Sequence, residues 1–141
     1  MKNLIRRITI TVDDYRSVIP RIVVGLVFLS EGIQKFLFPE TVGAGRFAKI
    51  GFSDPEFTAL FVAVFEITCG ILVLAGFLTR IAAIPLFIII LTAIARTKIP
   101  ILEEKGFWEM AHEARTDFAM TMLLIYLFIY GSGKASLDRG L

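Results

Sequence analysis

The apolar residues of this chain fall in runs long enough to cross a bilayer, and nothing else in the sequence restricts its fold as strongly. A spanning helix needs about 20 mostly apolar residues. Four segments meet or approach that length, at about 19–38, 57–78, 81–102 and 114–133. In 141 residues they leave only short connections and no room for a second domain. Hydrophobic residues make up 56% of the chain, more than a small soluble domain usually carries. The expected fold is therefore an all-α integral membrane protein, an antiparallel four-transmembrane-helix bundle in a single membrane domain.

The connections shape that expectation. Only Thr79 and Arg80 separate the second and third spans, so those helices must be antiparallel neighbours. Pro85 is read as lying one turn into the third helix, where a missing N–H costs little, and Pro100 as bending its end. The 39–56 loop carries Gly43, Gly45, Gly51 and Pro55, with Arg46, Phe47 and Ile50 suggesting a short surface helix. The 103–116 stretch is polar and amphipathic, with Trp108 placed as an interfacial anchor. The fourth apolar run is short, so its helix is expected to start inside the preceding segment or to sit where the bilayer thins. Residues 1–18 mix Lys2, Arg6, Arg7 and Arg16 with Ile and Val and read as an interfacial segment, with no small-residue cleavage site after it. The basic side leading into the first span sets both termini in the cytoplasm.

Several chemistries are excluded. A net charge of +2 gives no support for a nucleic-acid partner. The single Cys69 forbids an intramolecular disulfide or a CxxC relay. The single His112 forbids bis-histidine haem or a multi-histidine metal centre within one chain, and no metal site is expected.

The charged residues inside the spans carry the functional signal. On the first helix Arg21, Gly25, Phe28, Gly32 and Lys35 share a sector of roughly 80°, with Glu31 at its edge. Gly25 and Gly32 would let another helix approach closely. Glu31 and Glu66 lie about 10 and 13 Å from the ends of their spans, at similar depth under the same membrane face. A lone ionised carboxylate at that depth costs several kcal/mol, so each must pair or protonate. Lys35, Arg96, Arg115 and Lys98 are the available cations, and His112 and Asp117 enter from the fourth helix and its lead-in. The expected pocket is therefore Glu31, Lys35, Glu66, Arg96, His112, Arg115 and Asp117, and the competing view is a salt-bridge network that merely holds the helices together. Lys35 is expected to neutralise Glu31 through its i, i+4 spacing. Glu66 then holds its proton or pairs with Arg115 or Arg96. Arg115 and Asp117 diverge by roughly 160° on a helix, so one should reach a glutamate and the other the loop. Arg21, at the opposite face, is expected against lipid phosphate or Asp138.

The spacing of these residues is similar to that of a known family. Arg21, Gly25, Phe28, Gly32 and Lys35 form its first-helix pattern. Glu66, Gly70, Gly76, Thr79, Arg80 and Ala82-Ala83 follow its second helix and tight turn. His112 to Phe118 and Gly131, Gly133, Ser136, Leu137 and Asp138 follow its last helix and closing turn. From Arg21 to Asp138 the chain resembles the DoxX family of four-helix bacterial membrane proteins. The resemblance implies a membrane redox association, since members include a thiosulfate:quinone oxidoreductase subunit and complexes with superoxide dismutase and a thiol-linked partner. Arg21, Gly25, Gly32, Gly70 and Gly76 are expected to be structural.

The chain itself holds no dithiol, haem ligand set or dinucleotide fingerprint, so any electrons must pass through a quinone-like carrier or a partner protein. At most it is a subunit of a quinone-linked oxidoreductase. Three functions stay open: a redox-associated subunit binding a quinone or similar amphipathic molecule, a proton-coupled small-molecule transporter, and a non-catalytic assembly subunit for a soluble enzyme. The partners left open are the bilayer, a protein of a redox complex and a second copy of the chain.

Overall fold

A computed structural model describes residues 10, 11 and 13–140. Of the expected interfacial segment over 1–18, residues 1–9 and 12 lie outside the described residues. The described residues form helices and no strand: α1 (Val18–Leu37), α2 (Ala44–Lys49), α3 (Pro55–Ala75), α4 (Thr79–Lys105), α5 (Phe107–Glu113), α6 (Arg115–Tyr130) and a closing 3₁₀ turn (Leu137–Gly140). Each of the four apolar runs gives one long helix, because a helix satisfies its own backbone hydrogen bonds where water is scarce.

Local chemistry fixes the ends of α3. Asp54 caps its start by accepting the Phe57 N–H at 3.2 Å, and Pro55 occupies the first turn, where no N–H is needed. Gly76 ends it in the left-handed region (φ +65°), with the N–H of Phe77 donating to Leu72 O and that of Gly76 to Val73 O. A side chain at Gly76 would be strained in conformation and crowded in space, since its Cβ would fall 2.5 Å from Ser136 Cβ and 2.8 Å from Arg21 Cζ.

The turn into α4 is held from the other end of the chain. Leu78 is left-handed (φ +49°), and the Asp138 carboxylate accepts the N–H groups of Leu78 at 2.6 Å and Thr79 at 3.2 Å. A negative group at the amino end of a helix satisfies free donors and complements the helix dipole. α4 runs beyond the expected 81–102 to Lys105, through both prolines. Pro85 is its seventh residue, so its missing N–H falls past the first turn. The fourth long helix starts at Arg115, two residues inside the preceding polar stretch. The chain breaks at Ala114 between α5 and α6, leaving α6 with 16 residues, about 24 Å long.

α1 packs along α3 and α4 along α6, while α3–α4 and α1–α6 contacts join the two pairs. The core is shared by Val24 and Phe28 of α1, Cys69 and Val73 of α3, Ala83, Leu86 and Ile90 of α4, and Met120, Leu124 and Leu127 of α6. The glycine stripe of α1 faces α3. A Cβ at Gly32 would lie 2.9 Å from Ala63 O, and one at Gly70 would lie 3.1 Å from Gly25 O. Only absent side chains allow backbones this close.

α3 and α4 are long and apolar enough to cross a membrane by length and composition. The most apolar stretch of each is only 33% and 22% buried within the protein, so most of it faces outward, including Leu60, Phe61, Val64, Ile84, Ile88 and Leu91. A water-soluble chain rarely exposes so continuous an apolar surface. α1 carries Arg21, Glu31 and Lys35 within its length, and α6 is short.

Candidate functional site

The two ends of the helix assembly differ in kind. At the end where α1 begins, the buried Arg21 guanidinium is surrounded by backbone. It donates to the carbonyls of Val73 (3.1 Å) and Leu74 (2.8 Å) at the end of α3. On the closing segment it donates to Ser132 (3.0 Å), Lys134 (3.5 Å) and Ala135 (3.1 Å). The last carbonyls of a helix lack intrahelical donors and carry partial negative charge, so a forked cation suits them. No Asp138 oxygen lies within 4.0 Å of the Arg21 guanidinium. Asp138 caps α4 instead.

At the opposite end a cavity of about 380 Å³ opens between the helices. Its walls are apolar, with Phe28, Phe61 and Met120 on the long helices and Phe47 and Phe52 from the connection that carries α2. Glu31, Lys35, Arg46, Glu66, Arg96 and Asp117 supply its charges. A volume of this size lies in the usual range for a small-molecule site.

Lys35 organises the inner wall. Its Nζ lies 2.7 Å from Glu66 Oε2, 3.8 Å from Glu31 Oε2 and 3.4 Å from the Glu31 carbonyl oxygen. The Lys35 and Glu66 side chains are 8% and 5% exposed, whereas that of Glu31 is 44% exposed. The expected i, i+4 contact with Glu31 is thus the weaker one, and the buried partner of Glu66 is Lys35, not Arg96 or Arg115. The α1–α3 glycine contact accounts for this. It brings the helices close enough for a lysine on one to reach an acid on the other.

Other expected residues are placed differently. Asp117 lines the cavity and pairs with Lys98 at 3.3 Å, behind the wall. Arg96 lines it too, with its guanidinium 4.9 Å from the centre of the Phe52 ring. His112 and Arg115 are exposed and lie 2.6 Å apart at their nearest nitrogens, outside the lining. Arg115 reaches neither glutamate. The two residues flank Ala114, where α5 ends and α6 begins.

Arg46, Phe47 and Phe52 were not among the expected site residues. They reach the cavity because the chain after α1 folds back. A Cβ at Gly43 would sit 2.7 Å from the Lys35 carbonyl oxygen, so only glycine lets the strand of chain pass there. The sequence signal was present in the loop's paired glycines and its amphipathic Arg46-Phe47. Among the described residues no group of three or more His, Cys, Asp or Glu side chains is arranged to hold a metal ion.

Comparison with known proteins places these features in a wider group. A family model described as DoxX matches residues 17–98, a stretch containing Arg21, Glu31, Lys35, Glu66 and Arg96. An uncharacterized membrane protein of Mycobacterium tuberculosis is 52% identical over 127 residues, covering 86% of this chain and 78% of that relative. No solved structure matches.

Proposed function

This chain belongs to the DoxX family of membrane proteins, and from that premise we propose that it is a redox-associated subunit whose cavity binds a quinone or a similar small amphipathic molecule. The observation that carries the proposal is the buried Lys35–Glu66 pair on the inner wall of a cavity otherwise lined by aromatic and aliphatic side chains. An ammonium fixed by a carboxylate is a positioned donor for a carbonyl oxygen. Glu31, half exposed beside it, is a suitable proton exchanger. A bound quinone would supply the two-electron chemistry that no residue of the chain provides. The same geometry favours binding over proton-coupled transport, because Lys35 stands between the two acids and neither is left as the lone carboxylate an exporter would use.

The proposal includes the membrane arrangement. All four long helices cross the bilayer as one domain, α6 doing so in a locally thinned region, and both termini face the cytoplasm of a bacterial inner membrane. The orientation is checked by thiol labelling of single cysteines placed near Ile10, in α2, in α5 and after Gly133, in a Cys69→Ala background. Sites near Ile10 and after Gly133 should label from one face, and those in α2 and α5 from the other.

The binding proposal is checked by gentle extraction from native membranes and mass spectrometry of co-purifying small molecules. A quinone or other amphiphile should accompany the wild type and be depleted in the Lys35→Met/Glu66→Gln double variant. Equal recovery with both proteins would remove the cavity from the explanation.

A further inference from the structure

The cations around this cavity divide into two groups. Lys35 lies against two carboxylates, and Lys98 neutralises Asp117. Arg46 and Arg96 both line the cavity, and neither has a carboxylate oxygen within 4.0 Å among the described residues. They come from different elements, α2 and α4, and both are exposed, so they can be reached from outside. Arg96 is held over the Phe52 ring, a contact that orients a guanidinium without neutralising it. Phe52 precedes α3, whereas Glu66 lies about 16 Å along that helix from its first residue. Arg96 therefore stands at the Phe52 end of the cavity, away from the Lys35 cluster, and Arg46 enters from α2, whose Phe47 ring packs against Phe52.

The formal charges point the same way. Lys98 cancels Asp117 and Lys35 offsets one glutamate. Arg46 and Arg96 together then exceed the remaining glutamate by one unit. The excess sits on two exposed guanidiniums that no carboxylate neutralises, and an occupant carrying a single negative charge would complement it. Guanidinium groups suit planar or tetrahedral oxyanions because their N–H fork matches two oxygens at once.

The geometry points to an occupant that carries one oxyanion, a carboxylate or phosphate, on an apolar body. Arg46 and Arg96 hold the oxyanion, and the body lies against Phe28, Phe61 and Met120. This rests on the reading above that the cavity takes a small amphipathic molecule; it narrows that molecule to an anionic one, which a neutral quinone is not, and adds the residues that select it.

The test uses the full chain in phosphatidylcholine nanodiscs with a diazirine-bearing dodecanoate and its methyl ester as photo-crosslinking probes, the labelled residues being mapped by peptide mass spectrometry. The carboxylate probe should label cavity-lining residues, and the ester should need about tenfold higher concentration for equal labelling, the size of one charge-assisted hydrogen bond. Arg96→Gln and Arg46→Gln should each weaken the carboxylate probe by a similar factor and leave the ester unchanged, while Arg96→Lys retains part of the preference. Both arginines are exposed, so the variants are expected to fold, and a thermal unfolding curve run alongside confirms it. Nanodiscs containing phosphatidylglycerol should compete with the carboxylate probe if the natural occupant is an anionic lipid, and match phosphatidylcholine discs if it is a fatty-acid-like molecule. Either result supports an oxyanionic amphiphile. Equal labelling by acid and ester, insensitive to both arginine variants, would overturn the charge selection and leave the cavity-binding proposal standing. Competition by inorganic phosphate as strong as by the amphiphile would overturn the apolar body. Labelling of the cavity by neither probe would remove both.

Discussion

The Lys35 ammonium lies 2.7 Å from a Glu66 carboxylate oxygen and 3.8 Å from one of Glu31, so a single cation joins acids on two helices. Only the Glu66 contact is buried on both sides. The cost of losing either partner should therefore fall mainly on that contact.

Removing the ammonium alone strands a buried carboxylate, which typically costs about 3–5 kcal/mol. Lys35→Met is expected to lower the thermal unfolding midpoint in detergent markedly. Adding Glu66→Gln should restore most of the loss, because the double variant leaves no charge unpaired. A double variant as unstable as the single one would show that the pair is not the stabilising unit.

Arg21 should tolerate no substitute, not even lysine. Three ammonium donors cannot reproduce a planar fork aimed at five carbonyls on two segments. Arg21→Lys is expected to cost about 2 kcal/mol or more. It should also speed proteolysis after Gly131, where the closing segment would detach from α3. Unchanged unfolding and cleavage would mean that the carbonyl contacts contribute little.

Gly32→Val puts side-chain atoms where Ala63 O already lies 2.9 Å from the nearest possible Cβ. The helices α1 and α3 must separate, at a cost of about 1–3 kcal/mol. Because that approach also brings Lys35 to Glu66, the variant should lose part of the additional effect of Lys35→Met. A double-mutant cycle on unfolding midpoints measures this coupling, and strict additivity would contradict it.

Arg115→Ala is expected to be nearly silent, within about 0.5 kcal/mol of wild type. The side chain is exposed and its partner is His112, not a buried acid. A large loss of folded yield would require a contact that this geometry does not contain.

Much of the helical layout is legible in the sequence, because the length of each apolar run and the two-residue break at Thr79–Arg80 leave few alternatives. Glu31, Lys35 and Glu66 could be linked by depth alone, since carboxylates in apolar helices need partners. Which acid Lys35 prefers depends on how closely α1 and α3 approach, and that is decided in three dimensions by Gly25, Gly32 and Gly70. Arg21 and Asp138 were harder to read. Each is satisfied by backbone groups, and a backbone carbonyl or N–H leaves no mark in the residue types around it. Arg46 was missed because its place depends on the chain doubling back past Gly43. His112 and Arg115 lie outside the lining, because a helical face read from sequence does not show which of its polar side chains turn outward.

The arrangement of Arg21 bears on where a molecule can go once inside. From the cavity toward the termini, each long helix next contributes a side chain almost wholly shut off from solvent: Val24, Val73, Leu86, Leu124 and Leu127. Beyond them the guanidinium stitches the end of α3 to the closing segment. Toward the termini the chamber thus ends on a sealed floor. Passage through that floor would require breaking the hydrogen bonds that fasten it.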